Sequence, residues 1–249
     1  MRRPKLGQHF LVRGSILERI ARAGCPDREA LVVEIGPGRG ALTSRLLARA
    51  GHVIAIEIDS DLAAGLAHLH AGVEVIAADA LAIDLAQWGP AVFAGNLPYY
   101  AATAILERIV ELGPLLRRGV FLVQKEVAER ITAAPGNRDY GYLSVAMQLS
   151  AEAEMLFTVA PSAFRPPPKV DSAVLRLTPR DRAAELGIAG KREFLTFVSH
   201  CFRQRRKTLR NNLAGEYGAA VADWPEAGLR AEQLGTPEFA AMYRRLAIR

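Results

Sequence analysis

Thiols are almost missing from this chain: Cys25 and Cys201 are its only cysteines, and they lie far apart. Neither a disulfide framework nor a thiolate zinc site can be built from such a pair, so a reducing compartment is expected. Long hydrophobic runs are missing too. No stretch approaches the roughly 20 apolar residues that span a bilayer, and no apolar signal segment follows the basic start Met1-Arg2-Arg3-Pro4-Lys5. A soluble, cytoplasmic protein with no membrane partner is expected. There is no internal repeat and no low-complexity tract. Half the residues are hydrophobic and 23% are charged, which excludes disorder and fibrous repeats. The 249 residues suffice for one large domain, or a large and a small one.

Charge is unevenly placed. Up to Phe164 the chain carries 16 basic and 17 acidic residues; from Arg165 onward it carries 16 and 9. The whole net charge of +6 therefore sits in the last third. A cationic lobe beside a near-neutral one points to a polyanionic partner held by one part while the other does something else.

The first two thirds alternate β-branched runs with helical patterns. Strands are expected at 30–35, 52–58, 73–79, 91–95 and 120–124, and helices at 41–50, 60–70, 103–112 and from Lys125. Such alternation predicts an α/β fold with a parallel sheet covered on both faces. The segments 155–159 and 172–178 have no helix-length piece between them and are expected as an antiparallel pair closing the sheet. The loop joining them holds Phe164-Arg165-Pro166-Pro167-Pro168, whose prolines stiffen it and hold Phe164 in place. Beyond 179–190, read as a linker, the chain is helical. Over 191–213 Phe194, Val198, Cys201 and Phe202 supply an apolar face, while Arg203, Arg206, Lys207 and Arg210 at i, i+3, i+4, i+7 form a basic stripe on one helix. The division expected is 1–180 and 181–249.

Three clusters carry chemistry. Glu34-Ile35-Gly36-Pro37-Gly38-Arg39-Gly40 joins the first strand to its helix, where glycines let the backbone approach a ligand. Gly36, Gly38 and Ala41 also satisfy the relaxed dinucleotide fingerprint, so a nicotinamide oxidoreductase stays open. Glu57 and Asp79, read as closing the next two strands, lie at the ligand-binding edge of such a sheet. Glu57 can accept both ribose hydroxyls of NAD or of S-adenosylmethionine, and Asp79 can accept an adenine amino group. The third cluster, Asn96-Leu97-Pro98-Tyr99, follows the fourth strand. An exocyclic adenine amine is a poor nucleophile until its nitrogen becomes tetrahedral. The Asn96 amide oxygen and the Leu97 carbonyl can each accept one N–H and favour that geometry. Pro98 fixes the bend, and Tyr99 with Phe164 is expected to clamp a flipped-out base. His68 and His70 are two apart and cannot share a metal, and no metal is expected. His200-Cys201 is read as helix packing rather than a nucleophile and its base, and Trp88 and Trp224 as packing.

Together the segments Lys5 to Leu11 (KLGQHFL), the glycine loop, Asn96 to Tyr99, Gln124 to Arg130 (QKEVAER), Pro161 to Ala173 (PSAFRPPPKVDSA) and Arg203 to Leu213 (RQRRKTLRNNL) resemble the ribosomal RNA adenine N6,N6-dimethyltransferases. Within them the resemblance is to the bacterial 16S rRNA type associated with kasugamycin resistance, and it covers essentially the whole chain. It implies a class I (Rossmann-like) methyltransferase fold with a small helical C-terminal domain, acting as a monomer without metal. It further implies S-adenosylmethionine as cofactor and 16S rRNA of the small ribosomal subunit as partner, with two methyls placed on each of two adjacent adenosines near the 3′ end. Family cofactor contacts carry over to His9, Leu11, Gly36, Glu57, Asp79 and Asn96, with Gly38 in the same loop. The family often has Asn where His9 stands, and Tyr100-Ala101-Ala102 replaces a more polar stretch. Arg203, Arg206, Lys207 and Arg210 would meet phosphates, fixing register without reading bases. The rivals are an erythromycin-resistance type of large-subunit rRNA methylase, disfavoured by the Pro-Pro-Pro-Lys segment and the C-terminal residues, and an RNA-binding ribosome-assembly factor with a vestigial pocket, disfavoured by the intact Gly36, Glu57, Asp79 and Asn96.

Overall fold

In a computed structural model the described residues are 8–247; Lys5, Leu6 and Gly7 of the first motif lie outside them. The chain divides into two compact units, one of 1–128 with 152–179, the other of 129–151 with 180–249. In chain order the elements of the first are β1 (Phe10–Leu11), α1 (Gly14–Gly24), β2 (Glu29–Ile35), α2 (Thr43–Leu47), β3 (Ala50–Glu57), α3 (Ser60–Leu69), β4 (Val73–Ala77), β5 (Ala91–Asn96), α4 (Ala102–Glu111), β6 (Leu116–Gln124), the start of α5 (Lys125–Thr132) and, after α6 (Tyr142–Gln148) of the second unit, β7 (Ala151–Val159), β8 (Phe164–Arg165) and β9 (Ser172–Pro179).

Seven strands form one sheet in the order β4-β3-β2-β5-β6-β9-β7. β2, β3, β4, β5 and β6 run parallel, as the crossovers of a doubly wound α/β sheet require, and β9 adds to it antiparallel to β6. The predicted closing pair is present as neighbours at one edge, with β7 outermost. Strand order reverses between β3 and β5, on either side of β2, and the crevice outside the carboxyl ends of those strands is where such sheets take ligands. The carboxyl half of β2 (Val32 to Ile35) and nearly all of β5 are buried because helices cover both faces, which explains the apolar character of these stretches, Glu34 excepted. At their carboxyl ends the strands come so close that a Cβ on Gly95 would lie 2.2 Å from the Ile35 carbonyl oxygen. Several expected elements are trimmed: the helix after the glycine loop is only 43–47, because 38–42 is spent on turns, and Asp79 stands two residues beyond β4 rather than closing it.

In the second unit α6, α7 (Arg182–Glu185), α8 (Lys191–Cys201), α9 (Leu209–Tyr217) and α10 (Thr236–Ala247) enclose a separate core including Phe194, Phe197, Cys201, Leu213 and Phe239. Tyr140, Val145 and Leu149 belong to that core, so 129–151 falls here although the sequence reading kept it with the sheet. A single helix over 191–213 is not what forms. α8 stops at Cys201 and α9 starts at Leu209. The buried Asn212 carboxamide holds the break: its Nδ2 donates to the carbonyls of Cys201 (2.7 Å) and Gln204 (3.2 Å), and its oxygen accepts the Gln204 N–H (3.1 Å). These bonds satisfy carbonyls that the helix end leaves orphaned. No helix among the described residues is long and apolar enough to cross a membrane.

Candidate active site

A cavity of about 290 Å³ opens at the carboxyl edge of the sheet in the first unit. Nearly all the residues singled out for the cofactor and the target base converge on it: His9, Leu11, Gly36, Gly38, Glu57, Asp79 and the run Asn96 to Tyr99. The peptide beyond each strand end stays tied to its neighbour, with Gly36 N–H on the Ile56 carbonyl (2.9 Å), Ala78 on Glu57 (3.0 Å) and Leu97 on Leu122 (3.0 Å). The ladder bonds therefore continue into the loops that line the cavity.

Gly36, Gly38 and Gly40 take φ of 67°, 57° and 79°, a region L side chains avoid. At Gly38 space matters as well: a Cβ would meet the Phe10 ring at 2.9 Å. The Gly38 N–H donates to Glu57 Oε2 (3.0 Å) and the Asp59 N–H to Oε1 (3.0 Å). Glu57, 3% exposed, is thus fixed by two backbone amides, with lone pairs left for further donors. Asp79 Oδ1 accepts the Leu81 N–H (2.8 Å) in an Asx turn. Arg108 of α4 clamps the same loop by donating to the carbonyls of Ala80 (3.0 Å) and Ile83 (2.8 Å).

Asn96 ends β5. Its Nδ2 donates to the His9 carbonyl at 2.9 Å. A carbonyl can only accept, so the carboxamide has a single sensible orientation, with Nδ2 turned to His9 and Oδ1 turned from it; no donor among the described residues reaches Oδ1. His9 is held in turn. Its Nδ1 lies 2.9 Å from the Pro166 carbonyl and must carry the proton there. The Ala101 N–H closes a turn onto the Pro98 carbonyl (3.0 Å), leaving the Leu97 carbonyl outside that bond. Tyr99 is pinned at both ends, its hydroxyl 2.7 Å from the buried Ser172 hydroxyl and its ring 5.8 Å from the His9 ring at a tilt of 31°. Burial raises the phenol pKa above its usual value and the Ser172 bond offsets part of that rise.

Phe164 is not on the cavity wall. Its backbone pairs with Leu11 and its side chain is fully buried in the core with Leu17, Ile20 and Val174. Side chains alternate along a strand, so burying Phe164 turns Arg165 outward, and Arg165 lines the cavity instead. The expected clamp of Tyr99 and Phe164 is therefore not formed. The basic stripe is likewise not one helix face. Arg203, Arg206 and Lys207 lie on the turn between α8 and α9, and Arg210 lies in the first turn of α9. Arg203 is paired with Glu216 (2.6 Å) and Arg210 reaches the Ala222 carbonyl (3.3 Å). Arg206 and Lys207 are exposed and form no ion pair among the described residues.

Sequence reasoning named Glu34 only as the first residue of the glycine loop and gave it no role. It lines the cavity from the end of β2, yet is only 1% exposed, and neither its Oε2 nor the nearby Thr43 hydroxyl has a hydrogen-bond partner of proper geometry. Burial pushes its pKa up to about 8, Thr43 pulls it back somewhat, and the Glu57 charge adds to the rise. The signal was available: an acid inside Ala30-Leu31-Val32-Val33-Glu34-Ile35 has no solvated face to occupy in a strand buried on both sides. No group of three or more His, Cys, Asp or Glu able to hold a metal occurs among the described residues.

Comparison with known proteins agrees with this geometry. The family model described as ribosomal RNA adenine dimethylase matches residues 1–245. The ribosomal RNA small subunit methyltransferase A of Acidobacterium capsulatum is 44% identical, with 98% of this chain and 91% of that protein covered. Its counterpart in Bordetella bronchiseptica is also 44% identical, over 95% and 91%. Among solved structures, a dimethyladenosine transferase from Plasmodium falciparum superposes with a TM-score of 0.80 at 25% identity, covering 96% of this chain and 98% of that one. The 23S rRNA methyltransferase ErmE does so with 0.71 at 29%, covering 96% and 99%. A Rossmann-like sheet with two acids, Glu57 and Asp79, lining the cavity at its carboxyl edge, and a family match along nearly the whole chain, lead to one assignment: this chain belongs to the ribosomal RNA adenine dimethylase family.

Proposed function

We propose that this chain uses S-adenosylmethionine to dimethylate N6 of two adjacent adenosines near the 3′ end of 16S rRNA in the small ribosomal subunit. The observation that carries the reading is the Asn96 carboxamide, whose nitrogen is committed to the His9 carbonyl at 2.9 Å. Its oxygen is thereby oriented before any substrate arrives.

The residues fit the cofactor. Glu57, buried and fixed by two amides, offers remaining lone pairs to a ribose diol. Asp79, on a loop clamped by Arg108, offers a carboxylate oxygen to an adenine amino group. Gly36 and Gly38 keep the floor of the site free of side chains. Bound there, S-adenosylmethionine supplies an electrophilic methyl group.

The protein's own part is positioning. A base inside a helix cannot reach the cavity, so the target adenine must be flipped out, at a cost of a few kcal/mol. Stacking on Tyr99 returns about 1–3 kcal/mol of that. The Asn96 Oδ1 and the Leu97 carbonyl accept the two amine N–H groups. They favour a nitrogen that has begun to pyramidalise, so the stabilisation grows toward the transition state. No strong general base is needed. Phe164 contributes to the core and not to the stacking, so the second face of the base is left to other groups.

The 44% identity to proteins named for the small subunit, against 29% to ErmE, favours the 16S reading over the large-subunit one. The basic turn with Arg206 and Lys207 supports a phosphate contact, and RNA recognition is largely governed by shape, which an assembled particle supplies. The test is to incubate the protein with labelled S-adenosylmethionine and unmethylated small subunits and to locate modified nucleosides by mass spectrometry. N6,N6-dimethyladenosine at two adjacent positions near the 3′ end is expected. Transfer confined to large-subunit RNA or to DNA would overturn the proposal.

A further inference from the structure

Two side chains on the cavity wall have no part in the transfer just described. Tyr100 follows Tyr99 in the turn closed by Ala101 onto Pro98, and these two tyrosines are its central residues. Their fates differ. Tyr99 is tied to Ser172, whereas Tyr100 is 67% exposed while still lining the cavity. Tyrosine ordinarily buries its ring and wets its hydroxyl. A ring this bare gains little from the fold, and the same cavity is lined by two other exposed apolar side chains, Val12 at 51% and Ile58 at 49%.

Arg165 is the second. Its guanidinium donates to the carbonyls of Phe164 (2.8 Å) and Ser162 (3.4 Å), and no carboxylate pairs with it among the described residues. Carbonyls orient the cation without neutralising it. Register with Phe10 across the β1–β8 pair fixes the backbone beneath it. An open aromatic face and an uncompensated guanidinium lining the same cavity match the two halves of a nucleotide, a base for the ring and a phosphate for the fork.

We infer that Tyr100 and Arg165 form a subsite for the nucleotide adjoining the target adenosine in the RNA strand. This rests on the function proposed above. The target base itself is accounted for by Asn96 and Tyr99, so the neighbour is the nucleotide that a strand entering this cavity brings against the rim. Every base has a stackable face, so the subsite selects an unpaired, unstacked flank and not a base identity. When two adjacent adenosines are both substrates, the one not being methylated occupies it.

The experiment compares wild type with Tyr100→Ala, Tyr100→Trp and Arg165→Gln on unmethylated small subunits. KM for the particle, kcat and the Kd for S-adenosylmethionine are measured separately. Binding of a short single-stranded RNA with 2-aminopurine beside the target adenosine is followed by fluorescence. Tyr100→Ala is expected to raise the particle KM about 5- to 150-fold and to abolish quenching of the neighbouring 2-aminopurine, with the cofactor Kd within about twofold. Tyr100→Trp restores both, and Arg165→Gln raises KM and lessens its salt dependence. If Tyr100→Ala leaves KM and quenching unchanged, or weakens cofactor binding as much as RNA binding, the subsite is overturned while the functional reading stands. If wild type methylates no small-subunit adenosine, both fall.

Discussion

Replacing Glu34 by Gln tests the electrostatics of the cavity wall without altering its shape. The carboxyl is 1% exposed, its Oε2 has no partner, and its pKa is pushed from 4.5 up to about 8 by burial first, with Glu57 adding to the rise and Thr43 opposing it. The folded protein therefore holds a proton that the unfolded chain has already released between those two values. Stability that depends on this proton is fully present below about pH 4.5, declines as pH rises, and is gone above about pH 8. The slope is at most about 1.4 kcal/mol per pH unit, and the whole span gives a ceiling of about 5 kcal/mol. Water penetration and relaxation of the site keep the realised figure below that ceiling.

Glutamine cannot ionise, so Glu34→Gln removes this slope. Urea unfolding of both proteins, followed by a probe in the first unit from pH 5 to 9, should show wild type losing ground to the variant as pH rises. The difference, which cancels the titrations both proteins share, should level off near pH 8. A second substitution checks the cause: Glu57→Gln removes the neighbouring charge and should move the levelling point to lower pH. A difference that is flat across the range would mean that Glu34 is already ionised in the folded protein, and the account of an unpartnered neutral acid would be wrong.

Asn96→Ala should lower kcat by about 100- to 1000-fold, the usual cost of removing one donor or acceptor aimed at a transition state, while the S-adenosylmethionine Kd changes by less than about tenfold; transfer within about tenfold of wild type would remove the proposed mechanism. Arg108→Met deletes two charge-assisted bonds to the Ala80 and Ile83 carbonyls, so the KM for S-adenosylmethionine should rise about tenfold with kcat nearly constant, and Arg108→Lys should recover part of it. Combined Arg206→Ala and Lys207→Ala should weaken particle binding and reduce the slope of log K against log salt by about 1.5, the figure for two phosphates; an unchanged slope would make the turn between α8 and α9 a solvated surface.

Legibility in the sequence followed how local each determinant is. The later parts of β2, β5 and β6 are buried on both faces, so their apolar runs announce themselves, and Glu57 at the end of β3, Asp79 beyond β4 and the Asn96 run at the end of β5 could be placed on one edge from topology alone. The break between α8 and α9 was hidden because the i, i+3, i+4, i+7 spacing of the arginines continues across it. Only the long-range bonds of Asn212 to Cys201 and Gln204 reveal that the helix has ended. Phe164 misled for a related reason. Its prolines do hold it, but which face of a two-residue strand turns inward depends on β1, 150 or so residues away, and β1 turns Phe164 into the core.

The site is assembled largely from side chains anchored on backbone carbonyls and amides. Asn96 is held by the His9 carbonyl, His9 by the Pro166 carbonyl, Arg108 by those of Ala80 and Ile83, Arg165 by those of Phe164 and Ser162, and Glu57 by the amides of Gly38 and Asp59. A backbone partner does not change rotamer or protonation state when a ligand arrives, so these groups need little reorganisation during transfer, which is how oriented dipoles lower a barrier. It also makes the Asn96 run sensitive to the distant segments 9–11 and 164–166, because Asn96 is oriented by His9, the residue before β1, and β1 is held by β8. Tyr99, held by the Ser172 hydroxyl, is anchored on a side chain instead, and Glu34 and Tyr100 have no such anchor. Glu34 is a buried acid whose Oε2 lacks a proper partner and Tyr100 a bare ring, and both line the cavity, so neither reaches it already fixed by the fold as the other groups are.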